Sequence, residues 1–406
     1  MKKIIFYWLL GATGFGFSQT IENEVLRFDE YLGIVKKYHP FVKQANLILD
    51  ESQAELLKSR GAFDPKIQID YDRKKFKGSE YFDKLNATFK IPTWYGVELK
   101  GNFENNDGEF LNPEGSVPID GLYSAGVSFN VAQGLVIDKR RAALKQARFF
   151  TKQAKADRII EVNDILFEAS LVYFNWLRTF NEMNVYKDFL QNAEIRFNGV
   201  KKNVEVGEAA AIDSVEARIT LNNRKLNLEK ARIKLRKAAL ELSNFLWLEN
   251  NIPIEIRDNV IPDVYSEALV DETLQISELN YNDVVIENHP KLRSINYKFE
   301  GLLINKRLKA NMLLPKVELQ YNFLSEEPEI ARSFSTSAYK SGLNLSFPLF
   351  LRKERGDLKL AKLKLRDTEY QLTATKQTIK NKVTAVLQEL QSYVLQNDLT
   401  EEVVRD

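Results

Sequence analysis

The sequence predicts a mainly α-helical protein with a membrane β-barrel part. Long antiparallel coiled-coil helices would form an α-barrel, and a few transmembrane strands from each chain would close a shared β-barrel on oligomerisation. Three observations predict this fold: very long runs without glycine or proline, short segments of alternating polar and apolar residues, and an internal repeat. Only 18 glycines and 11 prolines occur in 406 residues, and so few helix breakers favour long elements.

Composition excludes several classes of protein. The 58 basic and 56 acidic residues leave a net charge of +2, without the basic excess of nucleic-acid binders. A charged fraction of 28% is too high for a bundle of transmembrane helices, and a hydrophobic fraction of 44% is too high for general disorder. Cysteine is absent, which excludes disulfides, thiolate metal sites and cysteine nucleophiles.

Residues 1–18 have the layout of a secretory signal peptide. Two lysines precede an apolar run from Ile4 to Phe17, and Gly16 and Ser18 occupy the small-residue positions of a possible cleavage site before Gln19. The run is too short for a comfortable transmembrane helix. We therefore expect export with cleavage, the alternative being an uncleaved N-terminal anchor.

Long helices are predicted next. Leu135–Asn198, Glu208–Ile252 and Asp357–Asp406 contain neither glycine nor proline. The first two runs predict a helical hairpin over residues 135–250. Helices of this length do not fit inside a globule of this mass and indicate a coiled coil or a helical tube.

Two apolar series recur every seven residues along the second run. They are Ile212, Ile219, Leu226, Ile233, Leu240 and Trp247, and Leu221, Leu228, Leu235 and Leu242. The two series lie about 200° apart around the helix, which predicts a neighbouring helix on each side. Such a helix fits the wall of a hollow α-barrel, although a spectrin-type bundle has the same periodicity.

Segments with period-two alternation predict strands. They begin near Lys66, Val127, Lys316 and Gly342. Two further segments, Leu85–Ile91 and Val97–Phe103, are either an extra hairpin outside the barrel or additional barrel strands. One such segment also fits a soluble hairpin, but four to six of them in an exported protein favour the apolar-out, polar-in pattern of a membrane barrel. Because eight strands are the practical minimum for one chain, several copies must share the barrel.

The chain contains an internal repeat. His39-Pro40 recurs as His289-Pro290, and the segment 65–71 recurs as 315–321, both 250 residues later. The first repeat covers residues 19–264, with a helix, strands at 66–131 and the helical hairpin 135–250. The second covers residues 265–406 and stops before a counterpart of the return helix, so either a truncation or a missing half-hairpin is expected.

These features together resemble the TolC-like outer-membrane efflux protein family, over essentially the whole mature chain. The sharpest likeness is the turn between the two long helices, where an Arg-Phe pair precedes a glycine and an aspartate follows that glycine by six residues. The residues concerned are Arg196, Phe197, Val206, Gly207, Glu208, Ala209 and Asp213. On their own chemistry Gly207 and Asp213 only need to build the turn.

The resemblance implies more for this turn and for the whole chain. Such turns form the periplasmic tip that meets the adaptor protein of a tripartite efflux or type I secretion system. The resemblance further implies a homotrimer in outer-membrane lipid that works with an inner-membrane transporter and conducts small molecules or exported substrates passively. The alternative function is an exported periplasmic coiled-coil scaffold without a pore.

No constellation for catalysis, cofactor binding or metal binding stands out, and we do not expect an enzyme. The sequence lacks a P-loop and a nucleophile elbow. Its two histidines, His39 and His289, hold equivalent positions in the repeat, which favours a structural role over a metal site. The balanced charge likewise gives no case for a nucleic-acid partner.

Overall fold

A computed structural model describes residues 24–266, 286–329 and 335–405, together with 270, 273, 274 and 333. The predicted signal peptide lies outside the described residues. The helices are α1 (Phe28–Tyr38), α2 (Pro40–Gly61), α3 (Lys139–Glu205), α4 (Ala211–Ser243), α5 (Pro290–Asn311) and α6 (Arg352–Arg405). The strands are β1 (Glu24–Leu26), β2 (Lys66–Phe76), β3 (Ser79–Pro92), β4 (Val97–Asp107), β5 (Leu122–Asn130), β6 (Val260–Pro262), β7 (Lys316–Ser325) and β8 (Tyr339–Ser346).

The chain divides into two compact units. The first contains residues up to 43 and 164–280, and the second contains residues 44–163 and those from 281 onwards. Helix α3 contributes residues to both units. The division does not follow the predicted repeats, because the second unit draws elements from both of them.

The first unit is built around an aromatic cluster. Phe28 and Tyr31 of α1 pack with Tyr173 and Trp176 of α3 and with Leu242 of α4, and all five are almost completely buried. The Phe28 and Tyr173 rings lie 5.2 Å apart. Aromatic residues of this size bury a large apolar area, which explains why α1 stays docked although it has only 11 residues.

Helix α4 uses one of its two apolar series inside this unit. Leu221, Leu228 and Leu242 are buried, whereas Ile219 and Ile233 of the other series are exposed. The helix ends at Ser243. The prediction that Trp247 is the last member of the helical series is therefore wrong. Its backbone instead forms an isolated bridge with Pro253.

The second unit contains one antiparallel sheet with strand order β2-β3-β4-β5-β7-β8. The two ambiguous segments at 85–91 and 97–103 become β3 and β4, and they lie within the sheet between β2 and β5. Helices and a curled six-stranded sheet thus occur in one chain, and the predicted fold class is confirmed. None of the described helices is long and apolar enough to cross a membrane.

Ion pairs hold helices and strands together in the second unit. The Arg140 guanidinium at the start of α3 lies 3.3 Å from the Glu98 carboxylate on β4. Lys309 of α5 lies 2.7 Å from Asp357 of α6, and this ammonium holds the pKa of the Asp357 carboxyl below its usual value. The first pair joins the start of α3 to the sheet, and the second joins α5 to α6.

Candidate functional site

The six-stranded sheet has a continuous apolar area on one face. The register places residues from all six strands in single rows, because directly paired residues share a face. One such row across the apolar face consists of Ile67, Phe89, Gly101, Ala125, Phe323 and Tyr339. The row runs without interruption through β3 and β4, so the inserted hairpin continues the surface that the other strands form.

This apolar face is largely uncovered. Ile67 is 74% exposed, Leu343 is 67% exposed and Leu345 is 66% exposed. Contiguous exposed apolar surface of this kind marks an interaction site for lipid or protein. The face therefore calls for a partner that the described part of the chain does not supply.

The opposite face of the sheet is polar. The Thr88 hydroxyl donates to the Asn102 side-chain oxygen at 2.8 Å, and the Asn102 amide donates to Glu104 at 2.8 Å. Lys340 of β8 lies 3.8 Å from the same Glu104 carboxylate. Such a face is stable against water, so the two faces of the sheet suit different environments.

Within the described part of the chain, the sheet has two open edges, β2 and β8. With six antiparallel strands the first and last strands run in opposite directions, so β8 of one copy can pair with β2 of the next in the same antiparallel pattern. Unpaired backbone groups along an edge strand are a template for pairing with another chain. The edges thus fit closure by further copies of this chain.

The turn between α3 and α4 is closed by Gly207. Its φ is +84°, a left-handed conformation that glycine adopts without steric cost. The Gly207 amide donates to the Val204 carbonyl at 3.1 Å, and the Glu208 amide donates to the Asn203 carbonyl at 2.8 Å. This pair of bonds is the Schellman pattern that ends a helix, as the glycine in the sequence predicted.

Asp213 lies in the first turn of α4. The N-cap residue, Ala210, gives no side-chain cap, so the carboxylate of Asp213 supplies negative charge where the helix dipole is positive. Within the described residues its carboxylate makes no side-chain hydrogen bond or ion pair. Building the turn is therefore sufficient to explain both residues: Gly207 ends α3, and Asp213 stabilises the start of α4.

The structure brings only part of the predicted tip together. Val206, Gly207, Glu208 and Ala209 form the turn, and Asp213 follows within one helical turn of Ala210. The Arg196-Phe197 pair lies inside α3, about 15 Å along the helix from Val206 at 1.5 Å per residue. Val206 is 62% exposed, so an apolar side chain is presented to solvent at the end of the helical hairpin.

The two histidines cap helices. The His39 Nδ1 accepts a hydrogen bond from the Phe41 amide at 3.3 Å, and the His289 Nδ1 accepts one from the Lys291 amide at 3.1 Å. Each histidine stands one residue before the proline that begins α2 or α5. The two hydrogen bonds confirm that both histidines have a structural role. Burial lowers the pKa of His39, and burial followed by the charge of Lys291 lowers that of His289.

Comparison by sequence finds no matching family model and no matching curated protein. Comparison of structures finds several bacterial outer-membrane proteins. The chain matches the outer membrane channel CmeC of Campylobacter jejuni with a TM-score of 0.56 and 14% identity, covering 86% of this chain and 68% of CmeC. It matches the outer membrane protein VceC of Vibrio cholerae with a TM-score of 0.56 and 12% identity, covering 90% of this chain and 79% of VceC.

A third similar structure is the outer membrane channel MtrE of Neisseria gonorrhoeae. The TM-score is 0.54 and the identity 12%, over 87% of this chain and 70% of MtrE. Identities this low show the fold and nothing finer. The resemblance to the TolC-like fold that the sequence indicated is confirmed.

Proposed function

We propose that this chain is an outer-membrane channel, the passive exit duct of a tripartite efflux or type I secretion system. The observation that carries the proposal is the six-stranded sheet with one apolar face, one polar face and two open edges. An apolar face toward lipid and a polar face toward a water-filled lumen are what a transmembrane barrel requires. The similar structures, whose names describe outer membrane channels, support the same function.

The dimensions of the strands fit a membrane wall. The six strands have between 8 and 14 residues, and a tilted strand needs roughly 9–11 to cross the hydrocarbon core. Since six strands cannot close alone, β8 of one copy would pair with β2 of the next. In the homotrimer that the resemblance implies, each chain contributes six strands and the shared barrel has eighteen.

The helical hairpin would form the periplasmic extension. On α4 the exposed series that includes Ile219 and Ile233 offers a second packing flank, and a neighbouring copy would cover it in the wall of an α-barrel. At the end of the hairpin, the exposed Val206 and the adjacent Glu208 would contact the periplasmic adaptor protein. Arg196 and Phe197 would contribute from the side of α3, and Gly207, Ala209 and Asp213 would shape the contact.

A duplication would explain how one chain builds this architecture. Helices α2 and α5 both have 22 residues, and they begin 250 residues apart, at Pro40 and Pro290. Strands β2 and β7 begin at the same spacing, at Lys66 and Lys316. We therefore infer two repeats, 19–264 and 265–406, of which the first carries the additional hairpin. Energy for transport would come from an inner-membrane transporter, and no catalysis is assigned to this chain.

The proposal is tested by placing single cysteines on the two faces of the sheet. The chain has no native cysteine, so a fluorophore attached at Ile69→Cys, Gln68→Cys, Ala87→Cys or Thr88→Cys labels one position only. In vesicles made with the full chain, labels at Ile69 and Ala87 on the apolar face should be quenched by nitroxide lipids. Labels at Gln68 and Thr88 on the polar face should be quenched by aqueous iodide instead.

The outcomes separate the interpretations. Absence of lipid quenching at both Ile69 and Ala87 would refute the membrane barrel, and release of the native protein by osmotic shock would then favour the periplasmic scaffold. Lipid quenching at Ile69 but not at Ala87 would keep the channel and remove β3 and β4 from its wall.

A further inference from the structure

Three lysines lie side by side on the polar face of the sheet. The register pairs Lys66 with Lys90, and it pairs Lys90 with Lys100. We call Lys66, Lys90 and Lys100 the lysine triad. Paired residues of neighbouring strands lie about 5 Å apart, so three ammonium groups of equal charge extend from adjacent positions on one face.

Sheet stability does not explain this arrangement. Like charges directly opposite each other on neighbouring strands are destabilising. Elsewhere on the same face the register avoids this, since Lys84 of β3 is opposite Asp72 of β2. The triad therefore destabilises the sheet, whereas pairs of opposite charge at the same positions would stabilise it.

The carboxylates around the triad do not neutralise it. Glu98 lies next to it along β4 but is 3.3 Å from the Arg140 guanidinium. On the other side a neutral row, Gln68, Thr88 and Asn102, separates the triad from Asp70 and Glu104. The Asp70 carboxylate accepts a hydrogen bond from the Gln68 amide at 3.0 Å, and the Glu104 carboxylate is 3.8 Å from Lys340. Within the described residues, no triad lysine has an ion pair, and the Lys90 ammonium donates only to the Gln68 side-chain oxygen at 3.4 Å.

The row of the triad continues across the sheet without adding a negative charge. From Lys100 it passes through Gly126 and Asn322 to Lys340, and it contains no carboxylate. Because strands tilt in a barrel, a row perpendicular to them climbs the wall as a band. Each copy in a closed barrel would thus add one basic band to the lumen, and rings of Lys or Arg favour anions in pores.

From this geometry, and resting on the proposed channel function, we propose that the lysine triad makes the lumen prefer anionic solutes. The attraction acts through water over a Debye length, about 10 Å at 0.1 M salt and about 3 Å at 1 M. A wide lumen would therefore select by charge at low salt without a specific binding pocket. The hairpin β3–β4 supplies two of the three lysines, so the insertion also brings the selectivity.

The test is the reversal potential of the full chain in a planar bilayer under a KCl gradient. The wild type should show a chloride-to-potassium permeability ratio above one at low salt. In the triple variant Lys66→Gln, Lys90→Gln, Lys100→Gln this ratio should fall by at least about twofold, and the difference should shrink at high salt. A matched control is Asp72→Asn with Lys84→Gln, which removes one opposed charge pair from the same face and should leave the ratio nearly unchanged.

The outcomes test the anion preference and the channel function separately. A wild-type ratio at or below one, or a ratio that is the same in the triple variant, would overturn the inference about anions while leaving the channel in place. Absence of any conductance in the wild type would refute the proposed function itself. Channels of normal open lifetime in the triple variant would show that it still folds.

Discussion

At the scale of single residues, the His-Pro pairs show what a sequence repeat predicts and what it leaves open. Equivalent positions predict equivalent roles, and both histidines do cap a helix. The environments differ, however, because His39 is 5% exposed and its ring stacks 5.4 Å from Phe245, whereas His289 is exposed. Phe245 follows His39 by some two hundred residues, and only tertiary packing brings the two together.

Burial of His39 predicts a pH dependence of stability. An unperturbed histidine has a pKa of 6.5, and burial lowers that of His39 in the folded chain. The unfolded chain therefore binds a proton more readily than the folded chain as the pH falls below about 6.5. The free energy of unfolding should accordingly decrease on acidification and level off once the folded pKa is passed.

The measurement is thermal unfolding of the detergent-solubilised full chain between about pH 8 and pH 5. In the variant His39→Asn the side-chain oxygen can still cap the helix, but it does not titrate, so the unfolding temperature should vary less with pH. The double variant His39→Asn, His289→Asn has no histidine at all. An equally steep dependence in that variant would contradict the assignment to the histidines.

Gly207 predicts a local effect at the end of the helical hairpin. The space around it is open, since an added Cβ would meet no atom within 4 Å, so only its φ of +84° opposes a side chain. Gly207→Ala should cost about 1 kcal/mol and raise hydrogen exchange at the Glu208 amide about fivefold. Gly199→Ala is the matched control, because Gly199 lies inside α3 and alanine should stabilise a helix interior by roughly 0.5–1 kcal/mol.

At the scale of elements, the sequence predicted the long helices and the two apolar series of α4. It did not show which series packs inside the chain, because both repeat every seven residues with similar side chains. In the structure three of the four leucines are buried, with Leu228 at 4% exposure, whereas Ile233 is 72% exposed. Ala231 and Ala238 are buried on the same side of the helix as the leucine series, where small side chains allow close approach of the core.

The two series of α4 therefore predict different mutant phenotypes. Leu228→Ala should lower the free energy of unfolding by about 3 kcal/mol, as expected for a cavity in a packed core. Ile233→Glu should leave the fold of the monomer unchanged and weaken its self-association. Native mass spectrometry of detergent-solubilised protein measures the second effect, and Asn222→Glu, on an exposed polar face of the same helix, is its control. Trimers of unchanged abundance in Ile233→Glu would exclude this flank as the contact between copies.

The strands were predictable as elements, but their pairing was not. Alternation identified the apolar and polar residues of each strand correctly, and it left the place of β3 and β4 open. The register depends on turn lengths and on an irregularity between Lys74 and Lys75, which shifts pairing by one residue. For this reason the lysine triad cannot be found in the sequence, where Lys66, Lys90 and Lys100 are separated by whole strands.

At the scale of the whole molecule, the compact units do not coincide with the repeats that the sequence suggests. Each predicted repeat has the linear order helix, strands and helix, and in the second unit elements of both predicted repeats pack together, as Ile137 and Ala142 do with Ile304. The second unit accordingly pairs β5 of the first repeat with β7 of the second. The repeated pattern in the sequence predicts a duplication, whereas burial decides which residues form a compact unit.

The central claim is that several copies of this chain form a water-filled pore. Planar-bilayer recording of the purified full chain tests it most directly, since a barrel with a polar lumen conducts ions once it is inserted. We predict discrete, long-lived conductance steps of uniform size. Protein that remains folded and oligomeric but gives no defined conductance steps would contradict the account.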